Sequence, residues 1–217
     1  MPTQHPILKG GICLSSLTLD KKTPLVERTK RESGERTFPI WLLFNPKHPV
    51  VRHYIWALVL AEIQDKLYRE LHTRIDTNNI YIRNAVRDST IVPNTVTWWD
   101  AELTTEIALF REIVTEHQPK ILISFGSFPF EFVRRVYEIK PEKGPKYWCT
   151  SNLGDEFGKS IEDFDVNKTN RIPLLRRVVE SDKFIEDQRH FENYYHYVGT
   201  KIAEKLIENK DNLNIWI

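Results

Sequence analysis

The alternation of short apolar runs with longer stretches of helical period constrains this chain more than anything else in it. Residues 40–44 (IWLLF) form an unbroken apolar run, opened by Pro39 and closed by Asn45-Pro46. A run of that length fits a strand buried on both faces, as parallel sheets need. From residue 50 to about 72 the period changes. Val51, Ile55, Leu58, Glu62, Leu67 and Leu71 recur mostly three or four apart between Arg, Gln, Asp and Lys, which predicts a long amphipathic helix. Residues 79–86 (NIYIRNAV) read as a second strand. Leu103, Ile107, Phe110, Ile113 and Val114 then give the buried stripe of a second helix, with Asp100 placed to cap it. Pro119 ends that helix, and residues 121–125 (ILISF) make a third strand that turns at Gly126-Ser127 into a helix over 129–139. Residues 140–170 show no clean period and read as irregular surface. A fourth strand is expected over 172–179 (IPLLRRVV) and a last helix over 194–207.

Strands and helices in strict alternation define an α/β fold. The expectation is three layers: a short central four-stranded parallel sheet with helices on both faces. Residues 38–217 would form this single domain. Residues 1–37, where charges of both signs mix with Thr, Ser, Gly and Pro, would form an N-terminal arm. The 217 residues, 41% of them hydrophobic, suffice for one core and not for two comfortable domains. Six Trp, eight Tyr and eleven Phe argue against disorder of the chain as a whole.

Other bulk properties exclude or leave open whole classes. No apolar run approaches the length of a membrane span, so no membrane partner is expected. Cys13 and Cys149 lie far apart and in no motif, so a reducing, cytoplasmic location is the natural reading. The formal net charge of +1 gives no whole-protein case for nucleic acid, although a local basic patch can sit inside a balanced total. His48 and His53 are five apart and His190 and His196 six, which is not metal-ligand spacing. The dinucleotide, P-loop and nucleophile-elbow motifs are absent, so neither a metal nor a cofactor is implied. The oligomeric state is not legible.

Ligands of open α/β sheets bind outside the carboxyl ends of the strands. That rule selects four segments. In the first, Asn45, Pro46 and His48 could hold a water or a substrate carbonyl, although Asn-Pro is also an ordinary turn starter. In the second, Asn84 could read a base or amide edge; a strand-ending Asn is equally a turn residue. In the third, backbone amides at Gly126 and Ser127 could hold an anion. In the fourth, Arg176 and Arg177 lie inside the expected strand, so one of them would face a helix layer or the cleft and meet a carboxylate or phosphate, with an ion pair to an acid such as Glu180 as the structural alternative. Trp98 and Trp99 could stack on a base or simply pack.

Taken together, these segments resemble the uracil-DNA glycosylase superfamily in layout, over roughly residues 38–208. Leu43-Phe44-Asn45-Pro46-Lys47 stands where the mismatch-specific branch carries Gly-x-Asn-Pro-Gly. The stretch from Pro119 to Gly126 is similar to the family's apolar strand and glycine. Ile172 to Arg177, then Phe191, then the last helix occupy the place of the family's closing strand, His-Pro-Ser-type loop and helix. The glycines flanking Asn-Pro and the His-Pro-Ser loop are not found here. The resemblance implies DNA as partner and a flipped base as the group recognised or excised. Asn45 would position a water and Asn84 would read the base. Arg176 would offset charge on the leaving base, and the amides near Gly126 would grip a phosphate. The residues also leave open a non-catalytic binder of nucleic acid or nucleotide on the same fold, and an unrelated small-molecule enzyme on a flavodoxin-like sheet.

Overall fold

The structure, a computed structural model, describes residues 32–92, 101–144, 146–178 and 194–217. It is an α/β fold around one sheet. The strands are β1 (Glu32–Ser33), β2 (Ile40–Phe44), β3 (Tyr81–Asn84), β4 (Ile121–Phe125) and β5 (Asn170–Leu174), in the spatial order β1-β3-β2-β4-β5. The helices are α1 (Ala57–Leu71), α2 (Ala101–His117), α3 (Ser127–Val136), α4 (Thr150–Glu162) and α5 (Tyr194–Glu208). A π-helical turn, Arg52–Trp56, leads into α1.

The first correction concerns the sheet. It has five strands, not four, and it is mixed. The parallel set β3-β2-β4-β5 is joined by β1, which runs antiparallel to β3 with Glu32 opposite Arg83 and Ser33 opposite Ile82. A two-residue strand has no periodicity to read, and it lies inside the mixed-charge stretch assigned to the arm. The rest of that arm, residues 1–31, lies outside the described residues.

Strand alternation sorts the core into two faces. Phe44 stacks on Phe125 with ring centres 4.4 Å apart, and Trp56 meets the same ring edge-on. On the opposite face Trp41 packs against Phe110 of α2, and Phe110 against Phe132 of α3. Helices therefore cover both faces, and β2 and β4 are buried at every position. Helix α5 comes so close to α1 that a Cβ on Gly199 would lie 2.5 Å from Cβ of Glu62.

Residues 150–162 are the second correction to local structure. They form helix α4, not irregular surface, burying Leu153, Phe157 and Ile161 at four-residue spacing. The third concerns the basic pair. Strand β5 stops at Leu174, so Arg176 and Arg177 follow the strand and are exposed. The reason lies in the neighbouring strand: β4 ends at Phe125, and Gly126 turns away with φ +86° after its N–H donates to the Leu174 carbonyl at 2.7 Å. Beyond that bond β5 has no ladder to continue. Among the described residues no helix is long and apolar enough to cross a membrane.

Candidate functional site

The chain runs from β2 outward to β3 and then back across β2 to β4. The order therefore reverses between β2 and β4, and the crevice at their carboxyl ends is where such sheets place ligands. Three segments meet there.

The first is the turn after β2. Asn45 Oδ1 accepts from the Lys47 N–H at 2.9 Å, and the Asn45 carbonyl accepts from the His48 N–H at 2.9 Å. This Asx turn fixes Pro46 at its apex. Lys47 Nζ donates to the Val92 carbonyl at 2.6 Å, tying the turn to the segment after β3. The second is the start of α3. Gly126 is its N-cap and carries no side chain to cap the helix, and Pro129 in the first turn has no N–H, so the amides of this helix end are those of Ser127 and Phe128. Ser127 Oγ donates to the Trp148 carbonyl at 3.1 Å, which turns the hydroxyl toward the loop before α4.

The third segment follows β5. The Leu175 N–H donates to Tyr194 Oη at 2.8 Å. Tyr194 is buried at the start of α5, and burial pushes its phenol well above the usual range. It therefore serves as a neutral acceptor that anchors the chain one residue before Arg176. The stem of Arg176 lies over Gly126, its Cβ 3.1 Å from where a glycine Cβ would be. Its guanidinium reaches His48, with Nη1 2.5 Å from Nε2. An arginine can only donate, so Nε2 accepts and the ring carries its proton on Nδ1. Burial, then the charges of Arg176, Lys47 and Arg177, push the His48 imidazolium below its ordinary range. The pair is thus a neutral imidazole holding a guanidinium. Burial and then Arg177 act against the charge of Arg176. No carboxylate bonds to Arg176 or Arg177 among the described residues.

The structure brings together Asn45, Pro46, His48, Gly126, Ser127 and Arg176. Asn84 ends β3 beside Phe44, and its carbonyl accepts from Arg83 Nε at 2.9 Å. Its side chain makes no hydrogen bond to Asn45, His48 or Arg176. Arg83 is buried against the Phe110 ring, and Asp88 caps the short turn Ser89–Ile91 by accepting from the Thr90 N–H. Trp98, Trp99, Asp100, Glu180 and Phe191 lie outside the described residues. Lys47 and Tyr194 belong to this site as well. In the sequence Lys47 has only the signal of an exposed turn residue, and Tyr194 that of one more apolar position on a helix.

Among the described residues no three His, Cys, Asp or Glu side chains gather where they could hold a metal ion. No protein-family model, no curated protein and no solved structure matches this chain.

Proposed function

We propose that this chain is a divergent uracil-DNA glycosylase-like protein that recognises a flipped base in DNA at the carboxyl end of its sheet. The observation that carries the reading is the Arg176 guanidinium. It is held by a neutral His48 over the start of α3, with Lys47 and Arg177 nearby and, among the described residues, no acid bonded to it. A planar fork of donors beside helix-end amides suits a phosphate or the anionic edge of a base. The resemblance in layout supplies DNA as the source of both.

One feature favours recognition over excision. The one lone pair of His48 Nε2 is taken by Arg176, and Asn45 Oδ1 is engaged by the turn with a single lone pair to spare. No imidazole acceptor is left to activate an attacking water, and binding without base release is the second reading that the same geometry supports.

Two measurements on the same protein test this. Anisotropy titrations should show affinity for duplexes containing uracil, hypoxanthine or a mismatch above that for undamaged duplex, and Arg176→Ala should weaken it about tenfold. Base release above that of Asn45→Ala on any of these duplexes would establish excision and overturn the preference for recognition alone. Equal affinity for damaged and undamaged duplex, or no effect of Arg176→Ala, would overturn the proposal.

A further inference from the structure

At the opposite end of the sheet, a cleft of about 370 Å³ opens between α4 and the start of β5. Phe130 and Ile139 form its apolar side, and Lys159, Asp163 and Lys168 stand around it. Its walls are fixed from behind. Asn170 is buried, and its side-chain amide donates to the carbonyls of Lys120, Asp165 and Lys168 while Oδ1 accepts from the Asp165 N–H. Thr169 donates to the Pro119 carbonyl.

Most charge around this cleft is already compensated. Arg134 is bound to Glu131 and to the Pro141 carbonyl, and Arg135 to Glu131 and Glu142. Lys159 pairs with Glu156, and Lys168 lies 4.0 Å from Asp165. Arg171 is the exception. Its guanidinium lies over the Tyr137 ring, 5.2 Å from the centre, and makes no hydrogen bond or salt bridge among the described residues. Yet Arg171 is partly buried: burial and then the nearby Arg134 act against its charge, and Glu156, which also lines the cleft and is paired with Lys159, offsets part of this from a distance. A partly buried guanidinium facing a cleft, with its donors unused, carries an electrostatic cost that an anionic ligand would offset.

We infer that this cleft is a second ligand site, which takes a small oxyanion, phosphate or carboxylate, on Arg171, with the organic part of its carrier against Phe130 and Ile139. The volume is in the range of small-molecule sites, and an apolar wall with a few fixed polar groups is their usual make-up. This site does not depend on the DNA reading, because β5 separates Arg171, near its amino end, from Arg176 beyond its carboxyl end.

Calorimetric titrations of the whole protein with inorganic phosphate and with acetate test it. Saturable binding of either ion to the Arg176→Ala protein, in which the carboxyl-end phosphate site is removed, weakened at least tenfold when Arg171→Gln is added, is the expected result. The tighter of the two names the ligand's charged group. Arg171→Lys keeps the charge but loses the fork, and should recover only part of the affinity. No saturable binding of either ion, or binding that Arg171→Gln leaves intact, would overturn the inference. So would binding that follows Arg176 instead.

Discussion

At the scale of single residues, Gly126 and His48 do the most to shape the carboxyl-end site. Gly126 has φ +86° and ψ 179°, a region almost closed to other residues. A methyl group there would also press on the Arg176 stem. Gly126→Ala should therefore cost about 1–3 kcal/mol in urea unfolding. It should also weaken DNA binding by more than that instability explains, because the guanidinium is displaced. Retained affinity in a folded Gly126→Ala protein would separate Arg176 from binding. His48 makes a pH-dependent contribution whose sign follows from its environment. Its folded-state pKa lies below the unfolded value of 6.5, so protonation favours the unfolded chain. The stability it contributes is complete above about pH 6.5 and is lost as pH falls from there through the folded pKa. Thermal melts of His48→Gln should fall less steeply with pH below 6.5 than those of the parent. Parallel curves would mean that His48 is not held neutral in the fold.

At the scale of elements, α3 is tied to the loop after it by one carboxylate. Glu131 is fully buried and accepts from Arg134, Arg135, the Lys143 N–H and Trp148 Nε1. Removing one partner of a buried pair leaves the other charge uncompensated, which costs about 3–5 kcal/mol. Glu131→Ala should lose that much in chemical denaturation. Glu131→Gln should lose less, since its amide oxygen can still accept from Trp148. A loss below about 1 kcal/mol for Glu131→Ala would show that the cluster is solvated in the native state. None of this network was readable in advance, because its members are scattered over residues 131–148, a stretch whose second half looked like loop. What the chain did announce were elements that carry their own signal: the unbroken runs of β2 and β4, and the periods of α1, α2 and α5. Helix α4 had its signal too, in Leu153, Phe157 and Ile161, but Gly154, Asp155 and Gly158 between them hid it. The site was legible to the level of which loops to inspect, since that follows from strand order alone. The Arg176–His48 contact joins positions 128 residues apart and rests on Tyr194. Local patterning encodes no such pairing.

At the scale of the whole molecule, 31 basic and 30 acidic side chains nearly cancel, so affinity for a polyanion cannot come from the total charge. The cancellation is also local over much of the surface. Lys66–Glu70 and Arg69–Asp65 pair along α1, and Lys201–Glu204 and Lys205–Glu208 along α5. Such helix-face pairs neutralise one another and release few counterions from DNA. Lys47, Arg176 and Arg177 have no salt-bridge partner among the described residues, and all three sit at the carboxyl end of the sheet. If they contact phosphates, they set a measurable part of the salt dependence of binding. Each B-DNA phosphate neutralised contributes about −0.9 to the slope of log K against log salt. The double variant Arg176→Ala, Arg177→Ala should therefore flatten the slope by about 2. Lys205→Ala, which breaks a self-neutralised pair on α5, should leave it unchanged. Adding Lys201→Ala to that control removes the same two positive charges from α5, so the two double variants differ in place and not in net charge. A slope that responds equally to both double variants would place the DNA contacts over the surface at large, and one that responds to neither would remove DNA from this end of the sheet.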